Sequence, residues 1–199
     1  MADFTFQKVS LDQYLKDWKK LYLNNSDEES FNQIKDRVAQ IWEDIKLPER
    51  STEDSAGYDF YSPFRFILNA GTNIIIPTGI KFKAERNDIV LLCMPRSSMG
   101  FKHGIRLTNT IGVIDADYQY AENEGHIMMN LHMDGKMMPL RMQFSGNDLY
   151  TRDDVHIFSN TRVTIEKGDK FIQGIAMNYF TDGTIVTNER IGGLGSTGN

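Results

Sequence analysis

The chain has 199 residues, of which 40% are hydrophobic and 25% are charged, a composition typical of a globular protein with a sizeable core. Its formal net charge of −5 gives no general attraction to nucleic acid or anionic lipid, and no apolar run reaches the roughly 20 residues that span a bilayer. The N-terminus lacks an apolar signal core and the single cysteine excludes an internal disulfide, so we expect a reducing, cytoplasmic setting.

Residues 11–46 have the periodicity of two amphipathic helices. Apolar residues recur at the spacing of one helix face in 11–22 and again in 31–45. Pro48 then ends the second pattern. We therefore predict an N-terminal helical extension over residues 1–47, whose simplest role is to supply a packing or oligomer surface.

From residue 48 to residue 199 the pattern changes to short strand-like runs separated by turn signals such as NAGT, ERND and TDGT. This pattern is typical of an all-β sandwich or barrel. The stretch 133–162 is a long excursion between strands, and we treat it as an insert, because such excursions are usually functional or disordered. The last nine residues contain four glycines, so we expect 190–199 to be a flexible C-terminal arm.

Five short motifs within the β region carry polar chemistry: AGYDF, MPRSSMG, GVIDADY, GDKFIQGI and RIGGLGSTG. The guanidinium of Arg96 and the hydroxyls of Ser97 and Ser98 suit phosphate oxygens. The glycine-rich fifth motif lets backbone N–H groups approach phosphate, although it lacks the lysine of a P-loop. Oxygen ligands for a hard cation such as Mg²⁺ stand at Asp59, Asp115 and Asp117. Together these parts describe a triphosphate site.

The carboxylate of Asp115 has two interpretations. Carboxylates are depleted in strand interiors, and a turn acid on the surface explains one simply. A general base beside a phosphate explains it equally well, since burial and neighbouring charge tune its pKa. The four histidines are scattered and no Cys/His spacing fits zinc, so a zinc site is not expected.

The five motifs occur in the order of the five signature motifs of the trimeric deoxyuridine triphosphatase (dUTPase) family. The run PRSSMGFKHGIRLTNTIGVIDADYQ resembles the second and third motifs over its whole length. The resemblance implies a mainly β, jelly-roll-type barrel that assembles as a homotrimer with shared active sites. It implies hydrolysis of dUTP to dUMP and pyrophosphate with Mg²⁺ on the triphosphate. The insert resembles those of some phage relatives, which favours a bacterial or phage origin.

The resemblance also assigns roles to residues. Asp115 resembles the acid that activates the attacking water, Tyr118 the aromatic that packs on deoxyribose, and Asp59 the acid that holds the water shell of Mg²⁺. Base contacts are implied for Asn109, Gly112, Val113 and Ile114. The other implied substrate contacts are Arg96, Ser97, Ser98, Gln173 and, on the arm from a neighbouring subunit, Arg190, Leu194, Gly195, Ser196 and Thr197.

The chain departs from the family pattern at several points. Leu194 stands where a phenylalanine usually stacks on uracil, and the aliphatic contact is weaker by about 1 kcal/mol. Arg190 lies one residue closer to that position than is usual. The third motif usually reaches a glycine two residues after the tyrosine, whereas here Tyr120 opens a longer turn. The fourth motif reads KFIQ where an arginine and an alanine are common.

Two other functions remain open at this stage. A dCTP deaminase of the same superfamily, alone or combined with the triphosphatase, usually carries proline and glycine where this chain has Ala116 and Asp117. A regulatory module would bind a repressor protein through the helices of 11–46 or through the insert 133–162.

Overall fold

The computed structural model describes residues 3–23, 28–134, 142–145, 148–151 and 162–184. Within these residues the chain forms three α-helices, which are α1 (Leu11–Tyr22), α2 (Glu28–Glu43) and α3 (Ser97–His103), and a 3₁₀ helix at Ala116–Tyr120. The same residues form thirteen strands, which are β1 (Phe4–Lys8), β2 (Glu49–Arg50), β3 (Tyr58–Tyr61), β4 (Phe66–Asn69), β5 (Asn73–Ala84), β6 (Ile89–Pro95), β7 (Ile105–Leu107), β8 (Gly112–Asp115), β9 (His126–Met133), β10 (Met142–Ser145), β11 (Asp148–Thr151), β12 (Arg162–Ile165) and β13 (Lys170–Asn178).

Two antiparallel sheets form the body of the protein. One has the strand order β2-β3-β13-β6-β8, and the other has the order β1-β5-β9-β7. Burial alternates along β9 because one face of that strand points into the core. Both sheets contribute large side chains to one apolar cluster, among them Phe60, Leu91, Ile76, Ile127 and Leu131. The prediction of a mainly β, jelly-roll-type fold is confirmed, and the described strands form separate sheets rather than one closed sheet.

The N-terminal segment packs against the β1-β5-β9-β7 sheet. The two predicted helices are confirmed as α1 and α2, and Ser10 caps α1 by accepting the backbone N–H of Gln13. Tyr14 of α1 and Val38 of α2 are buried. Strand β1 was not predicted from the periodicity, yet it pairs with β5 along its whole length. The first residues of the extension therefore belong to the sheet itself.

The predicted insert 133–162 is described only in part. Its strands β10 and β11 pair antiparallel, with Met142 opposite Thr151. The arm 190–199 lies outside the described residues. None of the helices in the described ranges is long and apolar enough to cross a membrane.

Candidate active site

The third motif forms β8, an edge strand of the five-stranded sheet. Within the described part of the chain β8 pairs only with β6, so that Gly112 lies opposite Cys93 and Asp115 lies opposite Val90. The backbone groups on the other side of β8 therefore point away from the sheet. An open row of backbone donors and acceptors can read the edge of a heterocyclic base, which fits the contacts predicted for 112–114.

The loop between β7 and β8 adds an amide and apolar side chains beside this edge. Asn109 is exposed, and Ile111 and Val113 are 44% and 56% exposed. Thr110 has a φ of 68°, a left-handed conformation that a β-branched residue rarely adopts. Strained backbone of this kind clusters at ligand sites, where the surrounding structure enforces it. The loop thus presents a strained backbone and an exposed amide beside the open edge of β8.

Asp115 ends β8, and the 3₁₀ helix follows it directly. Its side chain is half-buried at the surface of the sheet. Tyr118 lies in the 3₁₀ helix and is only 3% exposed. Its hydroxyl donates to the His126 carbonyl at 3.0 Å and accepts from Asn123 Nδ2 at 2.9 Å. The ring therefore supports the segment from within, and its contact with deoxyribose stays a prediction.

The second motif places a guanidinium and two hydroxyls where β6 ends and α3 begins. Arg96 precedes the helix, Ser97 is exposed and Ser98 is half-buried. Arg96 Nε lies 3.1 Å from Asp59 Oδ1, while the Arg96 side chain stays 35% exposed. An open cleft of about 480 Å³ lies here, lined among others by Arg96, Ser98, Tyr61, Lys102 and Lys170. A basic cleft of this size suits a phosphate chain.

Asp59 forms ion pairs with two of the cations that line this cleft, Arg96 and Lys170. Its side chain is 3% exposed, lies 3.0 Å from Lys170 Nζ, and accepts a hydrogen bond of 2.5 Å from the Ser51 hydroxyl. Burial raises the pKa of this carboxyl, but the hydrogen bonds from Ser51 and Lys170 and the charge of Arg96 outweigh burial and hold the pKa below its ordinary value. Asp59 is therefore ionised at neutral pH and orients Arg96 and Lys170, which both line the cleft.

Gln173 lies in β13 opposite Asp59 of β3, so the first and fourth motifs meet across the sheet. Its side chain packs over Gly57, where an added Cβ would come within 2.0 Å of Gln173 Nε2. Gly57 therefore makes room for the glutamine beside the cleft. Gly57, Ser51 and Lys170 were not among the predicted site residues. The signals that could have found two of them are the glycine of AGYDF and the basic residue of GDKFIQGI.

The single chain does not bring all the predicted site residues together. Asp115 lies opposite Val90 near the start of β6, whereas Arg96 follows the end of that strand. Arg96 follows Val90 by six positions, which in an extended strand corresponds to about 20 Å. The chain therefore carries two separate groups, one around Asp115 and one around Arg96. The predicted arm residues Arg190, Leu194, Gly195, Ser196 and Thr197 lie outside the described residues.

The donors available for a metal ion are few. Among the described residues no cluster of three His, Cys, Asp or Glu side chains could enclose a cation. Asp59 Oδ1 is buried and, although Arg96 Nε lies 3.1 Å from it, accepts no hydrogen bond within the described ranges. Such an oxygen can accept a hydrogen bond from a metal-bound water, and Mg²⁺ often keeps its waters and bridges to substrate phosphates. The residues thus fit Mg²⁺ that arrives with a triphosphate and is held through water.

The sequence comparisons agree on one family. The sequence model of the dUTPase family matches residues 43–132. Deoxyuridine 5'-triphosphate nucleotidohydrolase of Lactococcus lactis is 35% identical over 158 residues, which are 77% of this chain and 89% of that protein. The enzyme of the same name from Stutzerimonas stutzeri is 39% identical over 82 residues, 40% of this chain and 54% of that protein, so the chain spans about half of this second relative.

Solved structures give the same result. A dUTPase from Streptococcus mutans is 30% identical with a TM-score of 0.51, covering 68% of this chain and 87% of that protein. A dUTPase from phage phi11 of Staphylococcus aureus shares the fold at 23% identity with a TM-score of 0.50, covering 72% of this chain and 90% of that protein. Since a relative at 35% identity is covered over 89% of its length, and the motifs lie on the elements described above, the chain belongs to the dUTPase family.

Proposed function

We propose that the protein hydrolyses dUTP to dUMP and pyrophosphate, the activity that its relatives' names describe. The observation that carries the proposal is the position of Asp115. This half-buried carboxylate is the last residue of the edge strand β8, directly after the unpaired backbone groups that we propose bind the base. A group that activates the attacking water has to lie beside the bound nucleotide, and Asp115 meets this requirement. The relatives' names favour hydrolysis over deamination of dCTP, and assays with both nucleotides test the difference.

In the proposed reaction Asp115 accepts a proton from a water molecule as the water oxygen attacks the α-phosphorus. A new P–O bond forms to this oxygen, the bond from the α-phosphorus to the bridging oxygen breaks, and pyrophosphate leaves. Arg96 and Lys170 offset the negative charge of the phosphates, and the hydroxyls of Ser97 and Ser98 donate hydrogen bonds to them. Asp59 keeps both cations oriented before the substrate arrives.

Mg²⁺ would be held by the triphosphate and, through water, by Asp59 Oδ1. When bound it supplies charge neutralisation for the departing pyrophosphate. We assign Gln173, whose side chain packs over Gly57, the role of a donor to a phosphate or to the attacking water.

We further propose that the active form is a homotrimer in the cytoplasm, with each site shared between subunits. The separation of about 20 Å between the Asp115 and Arg96 groups supports sharing, because neither group alone holds both the proposed water-activating acid and the phosphate grip. The arm with Arg190, Ser196 and Thr197 would close a site from a further subunit. The surfaces that we propose for a protein partner are α1 and α2 and the insert 133–162.

Substituting Asp115→Asn tests the proposal directly. Loss of a general base lowers turnover by about a hundredfold or more, whereas the isosteric amide leaves the fold and the elution volume unchanged. The measurement is the steady-state rate with dUTP, UTP, dCTP and dTTP, each with and without Mg²⁺. Glu122→Gln, an exposed acid in the following turn, is the control and keeps its rate. Near-normal turnover of Asp115→Asn would exclude the acid as the base.

A further inference from the structure

Helix α1 contacts the turn that follows the 3₁₀ helix of the third motif. The backbone N–H of Ser10 donates to Glu124 Oε2 at 2.9 Å, and the Ser10 hydroxyl donates to Glu124 Oε1 at 2.5 Å. Lys81 Nζ lies 3.6 Å from Glu124 Oε2. Glu124 thus accepts two hydrogen bonds from the residue that caps α1.

A second contact lies deeper, where α1 meets the start of β9. His126 is fully buried, and its Nδ1 lies 2.6 Å from Asp17 Oδ2. The backbone N–H of Gly79 donates to His126 Nε2 at 2.8 Å, so this nitrogen accepts and the ring proton lies on Nδ1. Nδ1 therefore donates to Asp17, whose carboxylate also accepts from Gln13 Nε2. This satisfied network fixes α1 against β9.

His126 also contacts Tyr118 of the third motif. The Tyr118 hydroxyl donates to the His126 carbonyl, and Asn123 Nδ2 donates to that hydroxyl. Gly125 lies so close that an added Cβ would be 2.8 Å from the Tyr118 carbonyl oxygen. Tyr118 follows Asp115 by three residues, so packed contacts run without a break from α1 to the segment that carries the acid.

The contact joins a helix outside the family match to a turn inside it. The family model matches 43–132 and leaves α1 outside. The turn is the QYAENEG stretch, residues 119–125, which lies inside that match and supplies Glu124. A helix outside the family match therefore contacts the turn that follows the acid-bearing segment.

We propose that α1 is a positioning element, which through Asp17 and Glu124 holds the segment 115–118 in the geometry that hydrolysis needs. Both are positioning residues, because they act through His126 and the turn rather than on the substrate. The inference rests on the proposed dUTP hydrolysis. The phosphates are gripped at the Arg96 cleft instead, so a loosened segment disturbs the sugar and the attacking water and leaves phosphate binding intact.

The experiment compares Glu124→Ala and Asp17→Asn with two matched controls in the full-length protein. Glu122→Ala removes an exposed acid from the same turn, and Asp12→Asn removes an exposed acid from the same helix. Neither control residue has a hydrogen bond or ion pair among the described residues. We expect both test variants to lower kcat/KM for dUTP by about 5–20-fold, and the controls to change it less than about twofold.

The ratio of kcat/KM for dUTP to kcat/KM for UTP separates positioning from stability. A smaller folded fraction lowers both rates equally and leaves the ratio unchanged. A displaced Tyr118 segment lowers the ratio, by about threefold or more on the scale of a misplaced site group. If the ratio in both test variants equals that in the controls, α1 has no positioning role and the inference fails.

Amide hydrogen exchange over residues 113–121 gives a readout that needs no activity. We expect exchange about tenfold faster in both test variants than in the controls, because local opening becomes easier while the rest of the fold persists. Unchanged exchange overturns the inference even where the wild type hydrolyses dUTP. If the wild type does not hydrolyse dUTP, the proposed function fails, and the exchange rates still decide whether α1 holds the segment.

Discussion

Gly57 contributes space rather than a functional group. A Cβ at this position would lie 2.0 Å from Nε2 and 2.4 Å from Cγ of Gln173, so the glutamine could not keep its place. The backbone of β3 and β13 does not have to move, because the side chain can rotate into the cleft. The effect of an added methyl group therefore falls on the position of Gln173 and not on the fold.

We predict that Gly57→Ala lowers kcat for dUTP by about 10–100-fold, the scale of a displaced site group, with unchanged circular dichroism. The double variant Gly57→Ala/Gln173→Ala is the control. If Gly57 acts by making room for Gln173, the alanine at 57 has little further effect once the glutamine is absent. Equal losses in both backgrounds would show that Gly57 acts independently of Gln173.

The lowered pKa of Asp59 leads to a prediction about the free energy of unfolding at low pH. Its pKa is held below the ordinary value of 3.8, so the folded state binds this proton more weakly than the unfolded state. Its stabilising contribution is present in full above the ordinary value and is lost as the pH falls through the lowered pKa. We expect Asp59→Asn to lower the free energy of unfolding by about 1–3 kcal/mol at neutral pH.

Urea unfolding of wild type and Asp59→Asn across pH checks this window. The difference in free energy should be constant above about pH 5 and should shrink below about pH 4, where the carboxylate of the unfolded state begins to take up a proton while that of the folded state does so only at lower pH. A difference that grows as the pH falls would contradict a lowered pKa.

At the scale of the secondary-structure elements, the packing of the N-terminal extension on the sheet involves Gly79 of β5. Gly79 has a φ of 71° and lies under α1 and the chain that follows α2, so that an added Cβ would be 2.1 Å from Ile45 Cδ1 and 3.3 Å from Tyr14 Cε2. Its carbonyl accepts the Val9 N–H, and its own N–H donates to His126. The extension therefore packs directly against the backbone at Gly79.

We predict that Gly79→Ala lowers the free energy of unfolding by about 2–4 kcal/mol, the sum of left-handed backbone strain and overpacking. Gly71→Ala is the matched control, because Gly71 has a similar φ of 75° but no atom within 4 Å of an added Cβ. Its cost should be about 1–2 kcal/mol, from strain alone. Equal losses in the two variants would show that the extension tolerates the methyl group.

At the scale of the whole molecule, the acid and the phosphate grip lie at opposite ends of β6. A closed cyclic assembly with the same heterologous contact at each interface can place Asp115 of one subunit beside Arg96 of the next. The exposed side chains of Ile111 and Val113 flank the acid-bearing strand. Sharing of this kind makes activity a property of the assembly.

Mixing subunits tests the sharing. Arg96→Ala and Asp115→Asn should each be nearly inactive alone. After co-expression about a quarter of the sites should combine an intact acid with an intact arginine, since the two come from different subunits of a cyclic oligomer. Mixed assemblies of wild type with the double variant are the reference for exchange. Activity that stays at the level of the separate variants would show that each site lies within one chain.

The sequence predicted the local structure well where one signal dominates. Helical periodicity placed α1 and α2, and alternating apolar runs placed most strands. Strand β1 was missed because its five residues are too few for a clear pattern and their partners in β5 lie 72–80 residues away along the chain. The motifs gave Asp115, Arg96 and Gln173, since these positions carry their chemistry in their own side chains.

Gly57, Lys170 and Glu124 could not be assigned in the same way, because their roles come from the residues that they contact in the folded chain. By itself the sequence determined the family, the β architecture and the residue types at each motif, through periodicity and local side-chain chemistry. The tertiary structure alone decided that Asp59 fixes Arg96 and Lys170, that Asp115 lies about 20 Å from that group, and that α1 meets the turn after Tyr118. Contacts between distant segments depend on how the sheets pair and pack, and no local pattern encodes that arrangement.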